Sequence, residues 1–150
     1  MTRGNARELA VHLLYSREFT DEEPADIMKN RLNKEYYGLL KGENPVYSDA
    51  PSSTQIAYLE RVVSGTANET QALDSKIQKY SISWDVSRIS KLTRCIMRLA
   101  MFEILYMDDI PTGVAINEAV RIAKLYDGDD TGAFVNGILG AFARDLPAGE

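Results

Sequence analysis

One segment, GAFVNGILGAF at residues 132–142, decides whether this chain folds into helices or into a sheet. Its Asn136-Gly137 pair lies between apolar residues, which is a strong short-range signal for a β-hairpin turn. The flanking residues do not alternate between polar and apolar, as two strands would require. Phe134 and Ile138 instead recur at helical spacing. We therefore predict a helix, because the periodicity of the surroundings outweighs the turn signal.

The rest of the chain also has helical periodicity and no long alternation with period two. A length of 150 residues suits one domain with a sizeable core. The segments with helical spacing are 5–19, 24–40, 53–80, 88–107, 114–126 and the last one, with Gly65 as a candidate break in the third. Residues 41–53 are rich in turn formers and predict a surface loop. About seven helices joined by short loops predict an all-α helical bundle.

The composition is that of an ordinary globular protein, with 45% hydrophobic and 26% charged residues. No apolar run approaches the roughly 18 residues needed to span a membrane. The N-terminal sequence lacks the apolar core of a secretory signal, so we expect a cytoplasmic protein. Cys95 is the only cysteine, which excludes an intrachain disulfide.

The sequence offers little for catalysis or for binding a metal or cofactor. His12 is the only histidine, and there is no glycine-rich phosphate loop or nucleophile elbow. Residues 127–138 imitate a calcium loop, but Ile138 stands where the bidentate glutamate is needed. The acids there are better explained as helix caps, with Asp130 or Thr131 at the capping position. We expect no enzyme activity, no metal and no cofactor.

Four residues are candidates for structural roles. Glu103 falls on the apolar face of its predicted helix, where a carboxylate must be paired or hydrogen-bonded. Gly137 and Gly140 each cost a helix about 1 kcal/mol relative to alanine. That cost suggests that another helix packs closely against them. Asn136 would then be a hydrogen-bonding residue beside a tight contact.

The charge is unevenly distributed along the chain. The net charge is −5, yet residues 75–98 contain six basic residues against the single acid Asp85. A basic segment in an acidic chain is either an interaction face or the solvated side of a helix. The residue pattern alone leaves both interpretations open.

Several motifs together resemble the NusB family of transcription antitermination factors. They are ARELAVHLLY at the start, then RCIMRLAMFEIL, DIP, VAINEAVRIAK and FVNGIL in this order and spacing. The resemblance covers essentially the whole chain, and residues 20–55 contribute least to it. It implies one RNA- and protein-binding domain over residues 1–150, all-helical, built of two small subdomains and without enzyme activity.

The resemblance also implies partners. Proteins of this family bind the boxA element of ribosomal RNA leader transcripts together with NusE, a small-subunit ribosomal protein. The complex joins other Nus factors on RNA polymerase and suppresses premature termination. Members occur as monomers and as dimers, so the resemblance is also compatible with a homodimer. NusB-like domains also occur fused to ribosomal RNA methyltransferases, but the glycine-rich cofactor loop of such an enzyme is missing from this sequence.

Family members contact RNA through the N-terminus, the first helix and the loop before the last helix. Carried over to this sequence, these regions supply Arg3, Arg7, Tyr15, Asp130 and Phe134. The aromatic rings can stack on unpaired bases, and the arginines can contact phosphates. The first seven residues hold only two arginines, where relatives carry a cluster. RNA affinity without NusE is therefore expected to be low, and the alternative is a protein-binding helical adaptor with little RNA affinity of its own.

The family's partner surface involves helices of the second subdomain. The candidates in this sequence are Tyr80, Trp84, Arg88, Lys91 and Arg94. They combine aromatic anchors with the basic segment, which is a composition typical of interface hot spots. The alternative for Trp84 is an ordinary core position.

Overall fold

The computed structural model describes residues 1–40 and 42–147 of the chain. All regular secondary structure in these two ranges is helical, which confirms the predicted all-α class. The α-helices are α1 (Arg3–Arg17), α2 (Pro24–Arg31), α3 (Lys34–Leu39), α4 (Ser53–Asn68), α5 (Thr70–Tyr80), α6 (Lys91–Tyr106), α7 (Thr112–Asp127) and α8 (Asp129–Arg144). Two short 3-10 turns lie at Pro45–Tyr47 and Val86–Arg88. None of these helices is both long enough and apolar enough to cross a bilayer.

Two helix boundaries differ from the prediction. The segment 24–40 is two helices, because the Asn33 side chain accepts a 2.8 Å hydrogen bond from the backbone N–H of Tyr36 and caps α3. The predicted break at Gly65 is wrong, since α4 continues through Gly65 to Asn68. The interruption lies at Glu69, after which α5 begins.

The chain divides into two compact units, the first ending at Asn68 and the second beginning at Glu69. In the first unit α1 and α2 pack against α4. Its core is formed by aliphatic side chains that include Leu9, Val11, Ile27, Leu59 and Val63. The 3-10 turn is held by Tyr37, whose hydroxyl lies 2.8 Å from the carbonyl oxygen of Val46.

The second unit is built around α6, which contacts α5, α7 and α8. The buried side chains of α6 include Met97, Leu99 and Met101. Arg98 of α6 donates from Nε to Asp74 Oδ1 at 2.7 Å and from a terminal nitrogen to Asp74 Oδ2 at 2.8 Å. This bidentate ion pair fixes α6 against α5 at the edge of the core.

Glu103 is fully buried, as its place on the apolar face predicts. Glu103 also takes part in an interaction with other residues of the protein, as a buried carboxyl group requires. Its structural role stays a prediction, which its burial supports.

α8 runs through Asn136-Gly137 without interruption, so the helix prediction is confirmed at the position of the turn signal. The expected close helix contact is wrong there. A Cβ on Gly137 would meet no atom within 4 Å, and one on Gly140 would meet only Arg144 of the same helix, at 3.5 Å. Asn136 is exposed rather than placed beside a tight contact.

The close approach lies one turn into α8 instead, at Gly132. A Cβ there would lie 2.5 Å from Cγ of Lys124 in α7. The expected capping role of Asp130 or Thr131 is also wrong, because Gly128, with φ of 92°, occupies the N-cap position. Gly128 alone separates α7 from α8, and its left-handed backbone favours glycine.

Candidate functional site

Tyr15 and Phe19 form an exposed aromatic pair at the end of α1. Tyr15 is 36% exposed and Phe19 is 61% exposed. Their ring centroids are 5.0 Å apart and the ring planes meet at 84°, which is an edge-to-face contact. Phe19 follows the last turn of α1, where its backbone N–H donates to the carbonyl of Ser16 at 3.2 Å. The pair therefore presents two differently oriented rings to solvent.

His12 lies one turn before Tyr15 and connects α1 to the 3-10 turn. Its Nδ1 is 2.8 Å from the hydroxyl of Tyr47, and the Tyr47 ring contacts Tyr37 with centroids 5.5 Å apart. Burial lowers the pKa of His12, an effect that the carboxylate of Glu8 opposes. These contacts hold the α1 surface beside Tyr15 in place.

The two N-terminal arginines have different surroundings. Arg3 is exposed in the first turn of α1. Arg7 is only 7% exposed and already engaged with neighbouring residues. The reason is that Arg7 shares its helix face with Ala10 and Val11, which are fully buried. Arg7 is therefore less accessible than Arg3 in this structure, and its contact with a phosphate stays a prediction.

The start of α8 carries the other two residues predicted to contact RNA. Asp130 is exposed and Phe134 is half-buried. They are four residues apart and share one face of the helix. Both belong to the second unit, whereas Arg3 and Tyr15 belong to the first. That the two regions form one RNA surface stays a prediction.

The connector between α5 and α6 presents two apolar side chains. Trp84 is 52% exposed and Ile82 is 97% exposed, so the alternative that placed Trp84 in the core is wrong. The connector is held by the amide of Gln78, which donates to the carbonyl of Trp84 at 3.2 Å and accepts from the N–H of Val86 at 2.8 Å. The exposed apolar side chains are thus attached to a well-anchored backbone.

Basic side chains follow this connector into α6. Arg88 and Lys91 are exposed, and Arg94 is half-buried. In the described part of the chain, the buried Nε of Arg94 has no hydrogen-bond partner. The first turn of α6 contains no acidic residue, although the positive end of a helix dipole favours acids. This placement is unfavourable in the isolated protein and favours contact with an anionic partner.

Tyr80 has a different position from the other partner candidates. Its hydroxyl donates a 2.7 Å hydrogen bond to Asp145, and its ring meets Phe142 of α8 edge-on with centroids 6.2 Å apart. The hydrogen bond to Asp145 raises the pKa of Tyr80. Tyr80 therefore joins α5 to the end of α8, a role within this unit that the sequence analysis did not predict.

Three residues of these surfaces were missed in the sequence, namely Phe19, Gln78 and Ile82. The signal for Phe19 is its distance of four residues from Tyr15, which is the spacing of neighbours along a helix. Ile82 lies in a connector without periodicity, so its exposure has no signature. In the described ranges, no group of three or more His, Cys, Asp or Glu side chains is arranged to hold a metal ion.

The comparisons with known proteins concern the chain as a whole. The NusB family matches residues 4–144. The transcription antitermination protein NusB of Citrifermentans bemidjiense is 37% identical over 145 residues, which are 97% of this chain and 96% of that protein. The protein of the same name from Acetivibrio thermocellus is 39% identical over 144 residues, covering 96% of this chain and 90% of that one.

Solved structures show the same fold. NusB of T. maritima superposes with a TM-score of 0.79 at 29% identity and covers 97% of this chain and 92% of that chain. A crystal structure of the antitermination factors NusB and NusE in complex with dsRNA gives a TM-score of 0.74 at 22% identity, over 96% of this chain and 97% of that chain. On the match over residues 4–144 and the full-length relatives, this chain belongs to the NusB family.

Proposed function

We propose that this chain is a transcription antitermination factor that binds boxA RNA of ribosomal RNA leader transcripts together with NusE. Its relatives carry the name of transcription antitermination proteins. A structure with the same fold contains NusB, NusE and dsRNA. The observation that carries the RNA part of the proposal is the exposed ring of Tyr15 on the helix that begins at the exposed Arg3.

The proposed RNA contact has two components. The Tyr15 ring stacks on an unpaired base, which contributes roughly 1–3 kcal/mol with little dependence on salt. Arg3 contacts a phosphate, and this contribution falls as the salt concentration rises. Asp130 and Phe134 at the start of α8 are the other residues proposed to contact RNA, with Phe134 offering a second ring.

NusE binds the connector between α5 and α6 in this proposal. Trp84 supplies a large exposed ring, and Arg88 and Lys91 supply positive charge beside it. Interfaces of this kind combine an aromatic anchor with basic residues that orient the partner. The complex joins other Nus factors on RNA polymerase in the cytoplasm, and this chain acts by binding, without catalysis.

A second candidate function is a protein-binding adaptor with little RNA affinity of its own. The burial of Arg7 favours it, because Arg3 is then the only exposed arginine among the first seven residues. One phosphate contact gives weak and salt-sensitive binding. The two candidates differ in whether the complex with NusE recognises boxA RNA more tightly than other RNA.

The deciding experiment is a titration of boxA RNA with this protein alone, with NusE alone and with both. A scrambled RNA of the same length and composition is the matched control. We expect weak binding by either protein alone and tight, sequence-dependent binding by the pair. Equal affinity of the pair for boxA and scrambled RNA, with an intact protein complex, would establish the adaptor instead.

A further inference from the structure

We propose that Phe19 is a second base-stacking residue, and that Tyr15 and Phe19 together hold two unstacked nucleotides of single-stranded RNA. The inference rests on the proposed RNA-binding function and goes beyond it, because it adds Phe19 to the RNA contact and predicts that two neighbouring bases are turned away from each other. It starts from the exposure of Phe19, which is 61% although its ring is wholly apolar.

The geometry of the pair specifies what it can bind. The ring planes of Tyr15 and Phe19 meet at 84° with centroids 5.0 Å apart. Bases that stay stacked on one another are parallel, so two such bases cannot lie on two perpendicular ring faces. The bases on Tyr15 and Phe19 must therefore be turned away from each other. Single-stranded RNA allows this, whereas bases inside a duplex remain paired and stacked.

The backbone beneath the pair is fixed, so the rings are positioned before RNA arrives. Tyr15 belongs to the last turns of α1, and the residues after the helix continue with hydrogen bonds from Glu18 N–H to the Tyr15 carbonyl at 3.0 Å and from Phe19 N–H to the Ser16 carbonyl at 3.2 Å. Arg17 donates from Nε to the carbonyl of Glu22 at 3.3 Å and secures the following turn. A surface that is already ordered loses less conformational entropy on binding.

The charges near Phe19 indicate where the RNA contact ends. Asp21 and Glu23 are exposed just after it, and they repel further phosphates. Glu22 is paired with Arg31 at 3.4 Å. Arg3 lies at the opposite end of α1, so the phosphate contact and the aromatic pair are separated along the helix. This arrangement favours an RNA strand that has its phosphates toward Arg3 and its last contacted base at Phe19.

The test is the affinity of the complex with NusE for boxA RNA, measured for the wild type and for Phe19→Ala, Phe19→Leu and Phe19→Trp. We expect Phe19→Ala to weaken binding by about tenfold, with an unchanged salt dependence. Phe19→Leu should weaken it nearly as much, because leucine keeps apolar volume but has no flat face. Phe19→Trp should retain wild-type affinity. The matched control is Leu39→Ala, since Leu39 is 75% exposed in the same unit.

A second measurement identifies the nucleotides. Single 5-iodouridine substitutions along the RNA are photo-crosslinked and the modified residue is located by mass spectrometry. We expect Tyr15 and Phe19 to react with different nucleotides of a single strand, and neither to react when a complementary strand is annealed. Cross-linking of Phe19 within the annealed duplex would overturn the proposal.

The outcomes separate this inference from the proposed function. Loss of sequence-dependent RNA binding in the wild type overturns both. Wild-type affinity in Phe19→Ala and Phe19→Leu, with boxA recognition intact, overturns the role of Phe19 alone. Weaker NusE binding by Phe19→Ala in the absence of RNA would show that Phe19 contacts the protein partner, and would also overturn it.

Discussion

The side chain of Lys124 in α7 lies directly against Gly132 in the first turn of α8. A Cβ on Gly132 would lie 2.5 Å from Lys124 Cγ and 3.0 Å from Cε. A side chain at Gly132 could be accommodated only if Lys124 changed its χ1 rotamer, because Cγ itself is in the way. The absence of a side chain at Gly132 is therefore what allows α7 and α8 to approach each other beside Gly128.

Two glycine substitutions in α8 should have opposite effects on stability. Gly137→Ala should raise the free energy of unfolding by about 0.5–1 kcal/mol, because alanine is the better helix former and nothing lies within 4 Å of the new Cβ. Gly132→Ala should lower it by about 1–3 kcal/mol, since the crowding outweighs the helix preference. Urea denaturation measures both.

The cause can be isolated with the double variant Gly132→Ala/Lys124→Ala, in which the crowded methylenes are removed. In the Lys124→Ala background, Gly132→Ala should therefore lower the free energy of unfolding much less than it does in the wild type. A Gly132→Ala protein as stable as the wild type would show that Lys124 adopts another rotamer at little cost.

Helix periodicity predicted the fold class because each helix buries one stripe of side chains. It placed α6, α7 and α8 to within a few residues. It did not separate α2 from α3, because that break depends on one side chain. Asn33 donates to the carbonyls of Lys29 and Asn30 at the end of α2 and accepts from the N–H of Tyr36 at the start of α3. Gly65 was misjudged for a related reason: an isolated glycine weakens a helix by about 1 kcal/mol, which tertiary packing readily offsets.

The candidate site was predicted less completely than the fold. Tyr15, which the resemblance to the NusB family singled out, is exposed. The sequence did not distinguish Arg7 from Arg3. The burial of Arg7 depends on which face of α1 packs against α4, and a charged residue does not indicate the packed face of a helix. The exposure of Trp84 depends on a connector without periodicity, so the sequence left it open.

Removing the buried carboxylate of Glu103 should destabilise the protein. Glu103→Ala should lower the free energy of unfolding by about 1–3 kcal/mol, because the groups that now meet the carboxylate lose a partner in the core. Glu103→Gln keeps the volume and one acceptor and should cost less. RNA affinity per folded molecule should match the wild type in both variants. Normal stability with lost RNA binding would assign Glu103 a functional role instead.

The only histidine should make stability depend on pH. Because burial lowers the pKa of His12 in the folded protein, the unfolded chain binds a proton at a higher pH than the folded one. The stability contribution is therefore complete above the ordinary value of 6.5 and decreases as the pH falls below it. His12→Asn keeps a hydrogen-bonding group near Tyr47 without titrating in this range.

Denaturation midpoints of both proteins between about pH 7.5 and about pH 5 test this prediction. Carboxylate titration contributes equally to both proteins and cancels in the comparison. The wild type should therefore lose more stability than His12→Asn over this range, because only the wild type contains His12. Parallel pH profiles would show that His12 is protonated alike in the folded and unfolded chain.

Charge reversal beside Trp84 should weaken the complex with NusE. Arg88→Glu and Lys91→Glu should each lower the affinity by about three- to tenfold at low salt, and less at high salt. Both positions are exposed, so the fold should persist. Lys29→Glu in α2 is the control for the change in net charge. Equal NusE affinity for all three variants would place the interface elsewhere.

The two N-terminal arginines should differ in what their removal changes. Arg3→Ala should weaken binding of boxA RNA by the NusE complex and flatten the salt dependence of log affinity by roughly one unit. Arg7→Ala should leave that slope unchanged and instead lower stability by about 1–3 kcal/mol, because Arg7 is buried and engaged within the protein. Tyr15→Ala should lower affinity by about tenfold at every salt concentration.

Affinity across a salt series and thermal melting of each variant check these expectations together. A flatter slope in Arg7→Ala with an unchanged melting temperature would mean that its guanidinium reaches the RNA despite its burial in the free protein. If Arg3→Ala and Tyr15→Ala both match the wild type in affinity and slope, the RNA surface does not include α1. Arg3 is the only exposed arginine among residues 1–7 of the chain, so no other arginine in this segment is available to replace its phosphate contact. The chain is then better described as an adaptor that joins proteins.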